Sequence, residues 1–154
     1  VGAGVRCVEV TLSGWDTHIN NHEGQATKNA ILDPAFAALI RELRTRKLLD
    51  ETIVICGGEF GRTPKINGLG GRDHWPKGFS VALAGGGFKG GHVHGATDPE
   101  GVSEEPEDPV KVADIHTTVL HTLGIEHDKE MMTPIGRPMA LSKGKVVETL
   151  LKEK

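Results

Sequence analysis

The sequence predicts an α/β fold in one domain over residues 1–154: a mainly parallel sheet flanked by helices. Three observations carry that expectation. Residues 5–12 (VRCVEVTL) are rich in β-branched side chains and read as a strand. Residues 52–56 (TIVIC) form a short continuous apolar run, the pattern of a strand covered on both faces. An amphipathic helix lies between them, and strand–helix–strand order favours a right-handed crossover with parallel pairing.

Each element follows from local chemistry. The first run ends in the turn-prone Ser13-Gly14, and residues 15–28 are polar without a clear period. Asp33-Pro34 is a helix-start signal, Asp supplying the cap and Pro fitting the first turn. Phe36, Leu39, Ile40 and Leu43 then recur on one face as far as about Lys47, with Arg41, Glu42, Arg44 and Arg46 mainly on the wet side. After the second strand, residues 57–77 are loop-like. Residues 79–84 (FSVALA) predict a third strand, with Gly85-Gly86-Gly87 as a tight exit. Residues 90–109 are polar and turn-rich, with room for a short hairpin at His92 to His94 and a solvated acidic run at Glu104, Glu105, Glu107 and Asp108. Asp108-Pro109 repeats the helix-start device, and Val112, Ile115, Val119 and Leu123 form an apolar stripe up to Gly124. A short terminal helix is expected over residues 145–151. Cys7 and Cys56 fall inside predicted strands and read as core thiols.

Composition narrows the function classes. A length of 154 residues suits one core. Lys plus Arg total 18 against 21 Asp plus Glu, a net charge of −3 that removes the basic excess of a dedicated nucleic-acid binder. With no Tyr, 4 Phe and 2 Trp, platforms for base stacking are not expected either. No apolar run approaches the roughly 18 to 20 residues needed to span a bilayer. Two cysteines are too few for a disulfide scaffold or a four-thiolate zinc site. Val1 with no basic and apolar leader suggests a piece of a longer product, and the compartment cannot be read from it.

In open parallel sheets, ligands collect beyond the carboxyl ends of the strands, so the residues after each predicted strand are the ones to weigh. After the first come Asp16, His18 and His22; after the second come Glu59, Arg62, Arg72, Asp73 and His74. Carboxylate plus imidazole is a ligand set for zinc, manganese or iron. Asp16 and His18 sit two apart, so an extended segment points both to one side. Glu59 lies in a glycine-flanked turn, and His74 returns from the following loop to complete the same centre. Arg62 and Arg72 suit a phosphate or sulfate oxygen, because a guanidinium donates in a forked geometry. Bland readings compete with each: Asp16 as a helix cap, Glu59 paired with Arg62, Asp73 orienting His74, and each histidine as an ordinary surface group. Their joint placement favours a site.

GWDTH, GEFGRTP and GRDHWP, followed by FSVALAGGG and FKGGHVHGATD, resemble the sulfatase-like proteins of domain of unknown function 1501, over about residues 5–151. That resemblance implies membership of the alkaline phosphatase superfamily. By it, Asp16 and His18 look like the first pair of late metal ligands, Glu59 like the acidic ligand and His74 like the last histidine. His22 is an alternative to His18. The position after Glu59 is Phe60 where relatives often place a histidine, which implies a weak or absent second metal. Neither Cys7 nor Cys56 has the sulfatase modification context, and Thr11, Ser13 and Thr17 match no nucleophile position. The resemblance therefore implies the carboxyl-terminal part of a hydrolase domain, inactive alone, exported in bacteria.

The leading expectation is a metal-dependent phosphate- or sulfate-ester hydrolase segment. Asp16, His18, Glu59 and His74 would be ligands of zinc, or of manganese, calcium or magnesium. Arg62 and Arg72 would steady a small anionic ester. The alternatives are a non-catalytic metal- or anion-binding module, and a structural fragment that forms a homodimer through an exposed sheet edge.

Overall fold

A computed structural model describes residues 1–98 and 105–153. Glu104, part of the expected acidic run, lies outside the described residues. Helix α1 is one continuous element, Asn21–Thr45. The Gln25 side-chain amide ties its first turns to the preceding loop, donating to the Trp15 carbonyl at 3.4 Å and to Thr17 Oγ1 at 3.2 Å. Pro34 thus sits inside the helix and does not start it, which corrects the expected boundary. Proline has no N–H, so one carbonyl in the preceding turn loses its helical partner. Ala30, Ile31, Asp33, Pro34 and Ala35 are all exposed, and water can reach that carbonyl. The helix ends where Lys47 adopts φ 57° and the Leu48 N–H reaches the Leu43 carbonyl at 2.8 Å.

The expectation of a mainly parallel sheet is overturned. The described residues form two α-helices and three small antiparallel two-stranded sheets. Strand β1, Val54–Cys56, pairs with β4, Ala82–Ala84, with Val54 opposite Ala84 and Cys56 opposite Ala82. Inside the loop joining them, β2, Gly61–Arg62, pairs with β3, His74–Trp75. The physical reason lies in the connection. A parallel pair needs a crossover, usually helical, whereas residues 57–81 contain only this small hairpin and bring the chain back antiparallel. Residues 5–12 form no strand. They are unpaired and mostly exposed, Val10 at 88%, so the first half of the expected crossover is missing. Cys7 is exposed and Cys56 half-buried, so the expected core thiols are not core groups.

Beyond β4, Gly85, Gly86 and Gly87 take φ values of 70°, 48° and 90°, a sharp turn that L side chains resist. Residues 92–94 form no strand. Helix α2 spans Val112–Thr122, and the Asp114 carboxylate reaches back to the Lys111 N–H at 3.2 Å. Thr117 and Thr118 are fully buried; Thr117 donates to Ser142 Oγ at 2.7 Å, and Ser142 donates to the Ala113 carbonyl at 3.0 Å. Strands β5, Glu130–Met132, and β6, Pro138–Ala140, form the last hairpin. The expected terminal helix is a single 3-10 turn, Glu148–Leu150. Among the described residues, the buried apolar side chains are Leu43, Val54 and Phe88.

Candidate metal centre

The β2–β3 register places Arg62 opposite His74. The loop between them is lashed to the segment before α1. Arg72 N–H donates to the Thr17 carbonyl at 3.1 Å, Asn20 N–H to Leu69 at 3.2 Å and Asn21 N–H to Gly70 at 2.9 Å. Asn20 makes the bend into α1 with φ 49°, a left-handed conformation that asparagine tolerates. Gly71 is buried against the His18 carbonyl, which a Cβ there would overlap. These contacts bring residues from opposite ends of a long sequence interval side by side.

Three donor atoms meet. His74 Nε2 lies 3.0 Å from Asp16 Oδ1, His18 Nε2 lies 3.1 Å from the same oxygen, and the two Nε2 atoms are 3.2 Å apart. Asp16, His18 and His74 are a set able to hold a metal ion. Ligands about 2.0–2.1 Å from a tetrahedral zinc stand about 3.3 Å from one another, so the triangle fits such an ion on size and chemistry.

The surroundings aim these atoms. His18 Nδ1 is 2.8 Å from Asp73 Oδ1. An ionised carboxylate only accepts, so Nδ1 carries a proton, which in the neutral imidazole leaves the Nε2 lone pair facing the centre. The bonds from His18 and then from Asn67 hold the Asp73 carboxyl below the usual carboxylate range. Asp16 is lowered to about 2, chiefly by the bond from Arg62 and next by that from His74. The Arg62 guanidinium donates to Asp16 Oδ1 through NH2. Its NH1 lies 3.4 Å from His18 Nε2 and donates to the Arg72 carbonyl at 3.2 Å. The Phe60 ring packs against His74, centroids 4.5 Å apart.

Not every expected residue comes to this point. Glu59 is exposed on the bend before β2, and His22 is exposed on the first turn of α1; both lie outside the group of three. Arg72 commits NH1 to the carbonyls of Thr63 and Pro64, each at 2.7 Å, and so braces the loop. Asp73 pairs with His18 and not with its neighbour His74.

Sequence reasoning missed Asn67. Its Nδ2 donates to the His18 carbonyl at 3.1 Å and to Asp73 at 3.2 Å, while its Oδ1 accepts from Leu69 and Gly71 N–H at 2.9 Å each. The Asn67-Gly68 pair signals a turn, but that signal does not reveal what the amide holds.

A family model described as "Protein of unknown function (DUF1501)" matches residues 1–151. That match carries no link to sulfatases or alkaline phosphatases. No curated protein matches, and no solved structure matches.

Proposed function

Because the chain belongs to the DUF1501 family, whose function is not known, its activity has to be argued from the site, and we propose that it carries the metal-binding part of a phosphate- or sulfate-ester hydrolase. The observation that carries this reading is the triangle of Asp16 Oδ1, His18 Nε2 and His74 Nε2 at 3.0–3.2 Å. Asp16, His18 and His74 would hold a divalent cation. The mixed oxygen and nitrogen set suits zinc, with manganese next; calcium and magnesium, which prefer all-oxygen shells, fit less well. Such a cation, when bound, stabilises charge on phosphoryl or sulfuryl oxygens and lowers the pKa of an attacking hydroxyl.

This chain's own residues do the rest. Asp73 fixes the His18 tautomer, Phe60 limits rotation of His74, and Arg62 stands beside the centre with donors for an anionic oxygen. The choice of ester class rests on the resemblance of the motifs GWDTH, GEFGRTP and GRDHWP to sulfatase-like proteins, which the family match itself does not carry. The attacking group comes from outside these residues. Two hydroxyls on the segments that carry the centre are committed, Thr17 to Asn21 Oδ1 at 2.6 Å and Thr63 to the Lys65 carbonyl at 3.0 Å. The same commitment favours a second reading, a metal- or anion-binding module without chemistry.

Metal analysis of the purified chain tests the centre. The expected result is about one zinc per chain, lost in Asp16→Ala and His74→Ala; no metal in the parent chain would end the reading. Aryl phosphate and aryl sulfate assays then separate enzyme from module. This chain alone should turn over neither. A longer product that contains it and supplies a nucleophile should hydrolyse one of them, and metal-loaded protein inert to both would leave only the binding module.

A further inference from the structure

We propose that Arg62 couples cation binding to anion binding at this centre: its guanidinium and a divalent cation compete for the same ligand atoms, so cation binding turns the guanidinium toward a tetrahedral oxyanion. The inference rests on reading Asp16, His18 and His74 as a metal centre and goes beyond it by assigning how two ligands communicate there.

Placement carries the argument. The fork of Arg62 faces two of the three donor atoms, NH2 on Asp16 Oδ1 and NH1 at 3.4 Å from His18 Nε2. Those are the atoms a divalent ion would take as ligands. His18 Nε2 has a single lone pair, and a cation on Asp16 Oδ1 would stand directly against the positive guanidinium, so the two partners cannot both be served at full strength. Displacement leaves the guanidinium nearby, because its backbone is fixed in the β2–β3 pair and NH1 also donates to the Arg72 carbonyl at 3.2 Å. The side chain is only 19% exposed, so the released N–H groups lack full hydration. An anion beside the cation satisfies them, and a planar fork matches two oxygens of phosphate or sulfate. Reciprocity then requires the anion to raise cation affinity by the same factor as the cation raises anion affinity.

Zinc affinity of the intact chain, measured by competition with a chromophoric chelator that fixes free zinc, tests this. Inorganic sulfate and inorganic phosphate form separate arms, each against chloride at equal ionic strength. In the parent chain at least one oxyanion should tighten zinc binding about tenfold, within the usual coupling range of roughly 5- to 150-fold. Arg62→Met should bind zinc more tightly than the parent in chloride and show no oxyanion response.

Absence of zinc binding in the parent overturns the metal centre and this inference with it. Zinc binding that is lost in Asp16→Ala but indifferent to both oxyanions overturns the coupling alone, as does an Arg62→Met response equal to the parent's. Should circular dichroism show Arg62→Met unfolded, Arg62→Lys replaces it. That variant keeps the charge without the fork: loss of most of the oxyanion response supports the inference, and full retention refutes it.

Discussion

Replacing the Asp73 carboxylate by an amide, in Asp73→Asn, keeps the side chain's size but removes the acceptor-only group that sets the His18 tautomer. The amide can offer N–H to Nδ1, which would shift the ring proton to Nε2 and turn a donor toward the centre. Zinc affinity should therefore fall about 10- to 100-fold while the circular dichroism spectrum is unchanged; unchanged affinity by chelator competition would remove Asp73 from the centre. Asp16 makes a second prediction. Its carboxyl is lowered from 3.8 to about 2 by Arg62 first and His74 second. A depressed carboxyl contributes stability above its unfolded pKa and loses it as pH falls through the folded value. Carboxyl chemical shifts should place that titration near pH 2 in the parent, and Arg62→Met should move it upward. At this scale, Asp16, His18 and His74 are legible in the sequence as residues that follow expected strands. Yet residues 5–12 form no strand and the sheets among the described residues are antiparallel; what brings the three together is the tie of the β2–β3 loop to the segment before α1. The partner of Asp73 was not legible. Asp73 and His74 meet the His18 ring at its two different nitrogens, Nδ1 and Nε2, an arrangement that adjacency in sequence does not reveal. Glu59 stands in a glycine-flanked turn, a signal that reports backbone freedom and gives no direction for the carboxylate.

Helix α1 turns the position of Pro34 into a measurable quantity. If Pro34 began the helix, as the Asp33-Pro34 pair suggests, its replacement by alanine would change little or destabilise. Inside the helix, Pro34→Ala restores a backbone hydrogen bond and removes a steric clash, so stability should rise by about 1–3 kcal/mol. Urea denaturation of the two proteins decides between these outcomes. The underlying ambiguity is general: a cap residue followed by proline marks a helix start only when the residues before it are not already helical. Here they are, because Gln25 anchors the first turns to Trp15 and Thr17. The same limit explains the sheet. An apolar run such as TIVIC reports burial and β-propensity, yet strand direction is set by the connection, and residues 57–81 return without a helix. Helix α2 was legible in type and in its end before Gly124 at φ 71°, but it begins at Val112 and not at Asp108-Pro109, and Val112 and Leu123 of the expected stripe are exposed while Thr117 and Thr118 are buried. Element type was thus readable where several local signals concurred, and strand pairing was not.

The whole chain exposes 11550 Å², whereas a folded monomer of its 16.5 kDa mass is expected to expose about 7,500 Å². Residues 5–12 are part of it: Val5, Val8 and Val10 present β-branched surface that no strand among the described residues covers. Among the described residues no helix is long and apolar enough to cross a membrane. Among the described residues the buried apolar side chains are Leu43, Val54 and Phe88, so a core secures little of that part of the fold and ties between distant segments matter more. The Asp16–His18–His74 centre is such a tie, joining the segment before α1 to strand β3. Zinc held there only in the folded state should stabilise it by about 2.7 kcal/mol at one hundred times its dissociation constant. Because the entropy of unfolding scales with the structure lost, a thinly packed chain should show a larger rise in Tm than a well-packed domain of equal length would for the same free energy. A scan with zinc should therefore give a sharper transition at least several degrees above that with a chelator, and Asp16→Ala should abolish the difference. Enhanced fluorescence of a hydrophobic dye should accompany both forms, since Val5, Val8 and Val10 are exposed and lie outside the group of three that would hold the ion. Identical transitions with and without zinc would mean that the ion, if bound, does not distinguish folded from unfolded chain, and the centre would then not be a preformed site.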